Sequence, residues 1–199
     1  MRIPYPVAQV LADVAQDEAT AVGTPMAVAL VDEEGGLLFF GRMDGSLPVS
    51  TELAVSKAFT SAVLRMPTHE LGKLAQPGQD LYGIQQTHQG RLVLIGGGIP
   101  LRLRGRVAGA IGVSGGTVEQ DIRVAQPAAT ALEEIERWAD RIGNAPWFGG
   151  WPEIPSVHVL RARLGEEIEK EGYPLSRTGL DVLAGAILLA AFRSRGAEC

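Results

Sequence analysis

Cysteine is nearly absent: the one cysteine among the 199 residues, Cys199, is the last residue. That excludes an internal disulfide, a Cys-rich zinc site and a C-x-x-C-H haem attachment, and the thiol reads as a frayed terminus. Histidine is scarce too. His69, His88 and His158 are the whole set, with no H-x-x-x-H, no H-E-x-x-H and no acidic calcium loop anywhere. Long apolar runs are missing: the longest, Val182 to Phe192, is roughly half of the ~20 residues a spanning helix needs. The opening MRIPYPVAQVLADV lacks the pattern of a signal peptide, so a cytoplasmic protein without a membrane partner is expected. No Lys/Arg cluster exceeds RLRGR at 102–106 and the net charge is -5, which makes nucleic acid an improbable partner.

What is present is ordinary globular material, 46% hydrophobic and 21% charged, enough for one domain with a full core. Val7, Val10, Leu11, Val14 and Ala15 recur at helical spacing before Gly23, predicting a helix over 6–22. MAVALVD (26–32), the turn EEGG and LLFFGRMDG predict a hairpin. A helix follows from Ser50 or Thr51 to Leu64, with Leu53, Ala54, Ala58, Phe59 and Ala62 inward. After a loop-like middle (65–90), RLVLIGG, IPLRLRG and RVAGAIGVSG read as three successive strands. Thr117 and Gln120 then form T-x-x-Q, a capping box opening a long helix. This order predicts an α+β fold, a five-stranded antiparallel sheet with helices on its faces. Residues 143–156, GNAPWFGGWPEIPS, read as a linker laid over a surface, and 157–199 as a helical extension. There Val157, Leu160, Leu164 and Ile168 form a stripe on one helix, which ends at Gly172 and Pro174; the last helix is apolar on nearly every side and must be buried.

GVSGG at 112–116 spells G-x-S-x-G, the nucleophile elbow of serine hydrolases. A triad on Ser114 would need Asp121 or Asp140 and then His158. The elbow belongs to a mainly parallel sheet, whereas three strands here run in succession, so Ser114 is read as structural. The glycines do not form a phosphate loop either, since G-K-[ST] and G-x-G-x-x-G are both missing. Gly109 and Gly112 suit close packing, and Gly115 and Gly116 turn the chain into a helix whose N-terminal amides would suit a ligand carboxylate.

The series MAVALVDEEGGLLFFGRMDG, ELAVSKAFTSAV, PTHEL, IGGGIPLRLRGRVAGAIGVSGGTVEQD and VAQPAATALEE resembles the GlcG/HbpS-like family, which also includes the C-terminal domain of PduO-type proteins. The resemblance covers about residues 6–140. It implies a profilin-like, three-layer domain over 1–142 that forms homo-oligomers from dimer to octamer, with relatives that bind, sense or degrade haem and often lie beside catabolic operons. Haem ligation in PduO-type domains falls on N-terminal His and Cys positions, and residues 1–25 here contain neither.

Candidate ligand-binding residues follow. Arg42 and Asp44 sit in RMDG; Lys57 and Thr60 lie one turn apart on the second helix. A lysine on the inner part of an apolar helix needs a counter-charge: an ion pair with Asp44, Asp32 or Asp121, or the acidic groups of a ligand clamped with Arg42. Thr68 reads as a helix N-cap, and the resemblance implies a place for it in a haem pocket. His69 and His88 are the candidate haem-iron ligands, and Gly115 and Gly116 the candidate anion-binding amides. Three functions are expected in turn: binding of haem or a related tetrapyrrole between sheet and helices; an enzyme, or an accessory subunit to one, acting on a small carboxylated or carbonyl substrate; or an assembly role in which the C-terminal helix reaches a microcompartment shell, an enzyme partner or a neighbouring subunit.

Overall fold

A computed structural model describes residues 2–143, 156–171 and 176–194. The linker at 144–155, the side chain of Ile168, the Gly172 and Pro174 stop and Cys199 lie outside the described residues. In chain order the elements are α1 (Tyr5–Val22), β1 (Ala27–Asp32), β2 (Leu37–Arg42), α2 (Ser50–Leu64), α3 (Thr68–Leu74), β3 (Gly98–Leu103), β4 (Arg106–Ser114), α4 (Val118–Gly143), α5 (Val157–Glu171) and α6 (Arg177–Ser194).

The strands form one antiparallel sheet in the order β2-β1-β4-β3. Four strands stand where the sequence pattern predicts five. RLVLIGG (91–97) does not pair as a strand: Thr60 Oγ1 accepts from the Val93 amide at 3.0 Å, Gly72 makes room for the Leu94 carbonyl, and Thr68 Oγ1 accepts from the amide of the next residue, Gly98, at 3.0 Å. The Val93 amide is given to α2, and the segment meets the sheet at its end, where the Gly97 carbonyl accepts from the Val113 amide at 2.9 Å. Thr68 therefore does not cap a helix. Pro67 occupies the N-cap of α3 without a side-chain cap bond.

Helices cover both sheet faces, which is why β1 is buried at every residue. Ala27, Ala29, Val31 and Ala110 meet Ala54, Ala58 and Ala62 of α2 in a layer of small side chains. Gly112 brings α2 against β4, since a Cβ there would collide with the Ala54 carbonyl and the Ala58 amide. The opposite face carries Met26, Val28, Leu30, Ile111 and Val113 against α1 and α4.

The same core continues into α5 and α6 through Val157, Leu160, Val182, Leu188 and Leu189. The apolar α6 packs on α1 and α4 of its own chain, where each buried valine or leucine contributes roughly 1.5–3 kcal/mol. Gly185 allows the approach, a Cβ there lying 2.6 Å from Ile135 Cδ1. Charge seals the seam: Arg161 reaches Asp13 at 2.6 Å and Asp181 at 2.7 Å, and Arg193 reaches Glu136 at 2.9 Å and Asp140 at 2.6 Å. Among the described residues no helix is long and apolar enough to cross a membrane.

Candidate functional site

Lys57 points inward from α2 and is 1% exposed. Its Nζ donates to the Val113 carbonyl at 2.9 Å and to Asp121 Oδ2 at 2.6 Å, and Asp121 Oδ1 accepts from the Gly116 amide at 3.0 Å. The pair thus links α2, the end of β4 and the start of α4. Gly97, at φ +113°, is the residue that allows this: a Cβ there would lie 3.1 Å from the Lys57 Nζ and 2.9 Å from Asp121 Cβ. Burial pushes the Lys57 ammonium below its usual 10.5, against the opposing hydrogen bond and charge of Asp121. Asp121 is the counter-ion, out of the three carboxylates that the sequence offered, and the ammonium has no exposure with which to clamp a ligand.

The loop after β4 is likewise satisfied from within. Thr117 and Gln120 complete their capping box, with the Thr117 amide donating to Gln120 Oε1 at 2.9 Å and the Gln120 amide to Thr117 Oγ1 at 3.3 Å. The carboxylate expected at this helix N-terminus is the protein's own Asp121. Gly115, at φ +153°, packs on the Pro25 carbonyl. Ser114 is 4% exposed, Asp121 is committed to Lys57, and His158 stands on α5, which packs against α1 and α6. No hydrolase elbow is assembled around Ser114.

Arg42 closes its own loop, its guanidinium donating to the Ser46 hydroxyl and carbonyl at 3.1 Å each, while Asp44 beside it is exposed. His88 sits in a short 3-10 turn in which it and Gln89 adopt left-handed backbone, φ 51° and 59°. Its ring lies 6.3 Å from that of Phe59, and the Arg91 guanidinium stands 3.7 Å above the Phe59 ring. His69, on the first turn of α3, has Nε2 3.4 Å from Glu70 Oε1 and a buried Nδ1 with no hydrogen-bond partner. Lys57 and Gly116 therefore meet through Asp121, Thr60 and Thr68 hold the Val93 and Gly98 amides, Arg42 and Asp44 belong to the β2 hairpin end, and the two histidines to the segments after α2. Phe59 and Arg91 were not singled out as site residues. Their meeting depends on how the 84–91 turns fold back on α2, and no local pattern carries that.

α2 packs closely on the sheet through small side chains and Gly112. One cavity of about 610 Å³ opens beside Glu34, Arg65, Arg102 and Arg106; an apolar groove of about 600 Å³ runs along α4 past Ile122, Pro127 and Val182. Neither is lined by a histidine. Among the described residues no group of three or more His, Cys, Asp or Glu side chains gathers as a metal site.

The family model described as haem degrading protein HbpS-like matches residues 3–130. The chain belongs to the HbpS-like family. A 15.0 kDa protein from the dhaT-dhaS intergenic region of Citrobacter freundii is 41% identical over 133 residues, covering 67% of this chain and 94% of that one. The corrinoid adenosyltransferase PduO of Salmonella typhimurium is 42% identical over 118 residues, 59% of this chain but only 35% of PduO. The crystal structure of a PduOC:heme complex superposes with a TM-score of 0.63 at 38% identity, covering 65% of this chain and 94% of that one. The HbpS-like match ends within α4, so α5 and α6 lie beyond it.

Proposed function

We propose that this HbpS-like chain binds a tetrapyrrole, haem in the first place, at the exposed His88 and Arg91 beside the largely buried ring of Phe59 on α2. The observation that carries this reading is the grouping itself: an exposed imidazole, an aromatic ring and a guanidinium within one small patch, 6.3 Å and 3.7 Å from the same phenyl ring. Haem iron brings its own ring nitrogens and asks the protein only for axial donors. His88 offers an exposed imidazole, and His69 offers a buried Nδ1 with no partner of its own. Arg91 supplies a charge for a propionate. The donor chemistry of these residues fits the group, and likeness to the PduOC:heme complex supports the choice of ligand. When bound, haem would supply redox and ligand-binding chemistry; the chain's part is to hold the ring and set the donor.

The test is an absorbance titration with haemin of the wild type, His88→Ala, His69→Ala and Arg91→Ala. A Soret band saturating near one haem per chain, shifted or weakened in one histidine variant, is the expected result. A featureless rise, or a saturating band untouched by either histidine change, would sink the reading.

A further inference from the structure

Three chain reversals meet at the end of the sheet away from Lys57: the β1–β2 turn with Glu33 and Glu34, the C-terminus of α2 at Arg65, and the β3–β4 turn from Arg102 to Arg106. They enclose the cavity of about 610 Å³. In a chain of net charge -5 this cavity is lined by three arginines, two of them, Arg102 and Arg106, from the RLRGR motif.

The site is built rather than incidental in two respects. Arg102 donates from NH1 to the Gly105 carbonyl at 3.3 Å and from NH2 to the Arg65 carbonyl at 3.4 Å. That holds its guanidinium in place between turn and helix. Arg65 ends α2 in the left-handed conformation, φ 57°, where glycine is the usual and easier residue. A bulky cation thus sits where the backbone disfavours one, beside a second arginine, Arg106, on the opposite wall. Glu33 and Glu34 of the turn line the same cavity, which leaves the three arginines in excess, and Asp32 accepts from the Glu34 and Gly36 amides and lies 3.8 Å from Arg2. Glu33 is also engaged.

We infer that this cavity binds a small dianion, a phosphate group or a pair of carboxylates, through Arg65, Arg102 and Arg106. Planar guanidinium forks match the oxygens of both groups, and the volume leaves room for the organic part that carries them. Glu34, which also lines the cavity, opposes the field of the arginines. Phe59 of the haem reading packs against Gly35 of the same β1–β2 turn, but the inference uses Arg65, Arg102 and Arg106, on none of which the haem reading depends.

Isothermal titration at low ionic strength with inorganic phosphate, pyrophosphate and malonate tests it. Saturable binding by at least one dianion is expected, with affinity about tenfold or more weaker in Arg65→Ala/Arg106→Ala and stronger in Glu34→Gln. Preference for the phosphates assigns the site to phosphate esters, and preference for malonate to dicarboxylates. The exposed arginines leave the circular-dichroism melt unchanged, and Arg123→Ala/Arg137→Ala, on the remote α4 surface, leaves the affinity unchanged. Absence of saturation with all three probes, or equal affinity in the Arg65→Ala/Arg106→Ala protein, would overturn the inference.

Discussion

Replacing Lys57 by Met keeps the length of the stem and removes the ammonium. Asp121 would then stay buried, at 3% exposure, with the Gly116 amide as its remaining bond, and the Val113 carbonyl would lose its donor. Removing one partner of a buried ion pair costs about 3–5 kcal/mol, a large part of the 5–15 kcal/mol by which a domain of this kind is stable. Lys57→Met/Asp121→Asn removes the stranded charge while the Asn oxygen still accepts from Gly116, so most of that loss should return. Urea unfolding followed by circular dichroism gives both values and their coupling. A pH series adds a signature that packing alone does not produce. Because burial holds the native lysine below 10.5, the unfolded chain binds more protons in the interval just beneath that value, and wild-type stability should rise with pH through it. Lys57→Met should abolish that rise. A single variant within about 1 kcal/mol of the wild type, or a double variant no more stable than the single, would refute the reasoning.

Two further outcomes follow from the same structure. Thr117→Ala removes the acceptor for the Gln120 amide and should lower stability by about 1 kcal/mol, read as a reduced urea midpoint with unchanged slope. Burial raises the Asp181 carboxyl above 3.8; Arg161 and Arg177 oppose the shift, while Asp13 and Asp17 add to it. The native state therefore binds more protons than the unfolded state in the interval above 3.8, and stability contributed by Asp181 is lost as pH rises through it. Asp181→Asn should remove that component, so its unfolding free energy should agree best with the wild type near pH 4 and diverge most, with the variant the more stable, near pH 7.

The local pattern of residues determined much of this protein on its own. Apolar spacing over 6–22 ending at Gly23, the T-x-x-Q at Thr117, and the unbroken MAVALVD run each name an element, because capping, left-handed glycine and burial on both sheet faces act within a few residues. The series from MAVALVD to VAQPAATALEE was enough to indicate the family. RLVLIGG shows the limit. Its β-branched and leucine residues suit a strand, yet Thr60 takes the Val93 amide and Thr68 that of the adjoining Gly98, and that competition is invisible to a count of residue types.

Long-range placement was decided only by tertiary structure. Lys57 had three sequence candidates for a counter-ion, and only packing α2 and α4 against opposite faces of the sheet brings Asp121, 64 residues away, to its ammonium. Phe59, His88 and Arg91 carry no spacing signature and meet only because the 84–91 turns fold back over α2. The apolar α6 announced that it must be buried, while its partner, the α1 and α4 surface of the same chain, depended on Gly185 fitting against Ile135. Hydrophobic periodicity is a property of neighbouring residues, whereas the pairing of distant charges and faces depends on how whole layers stack.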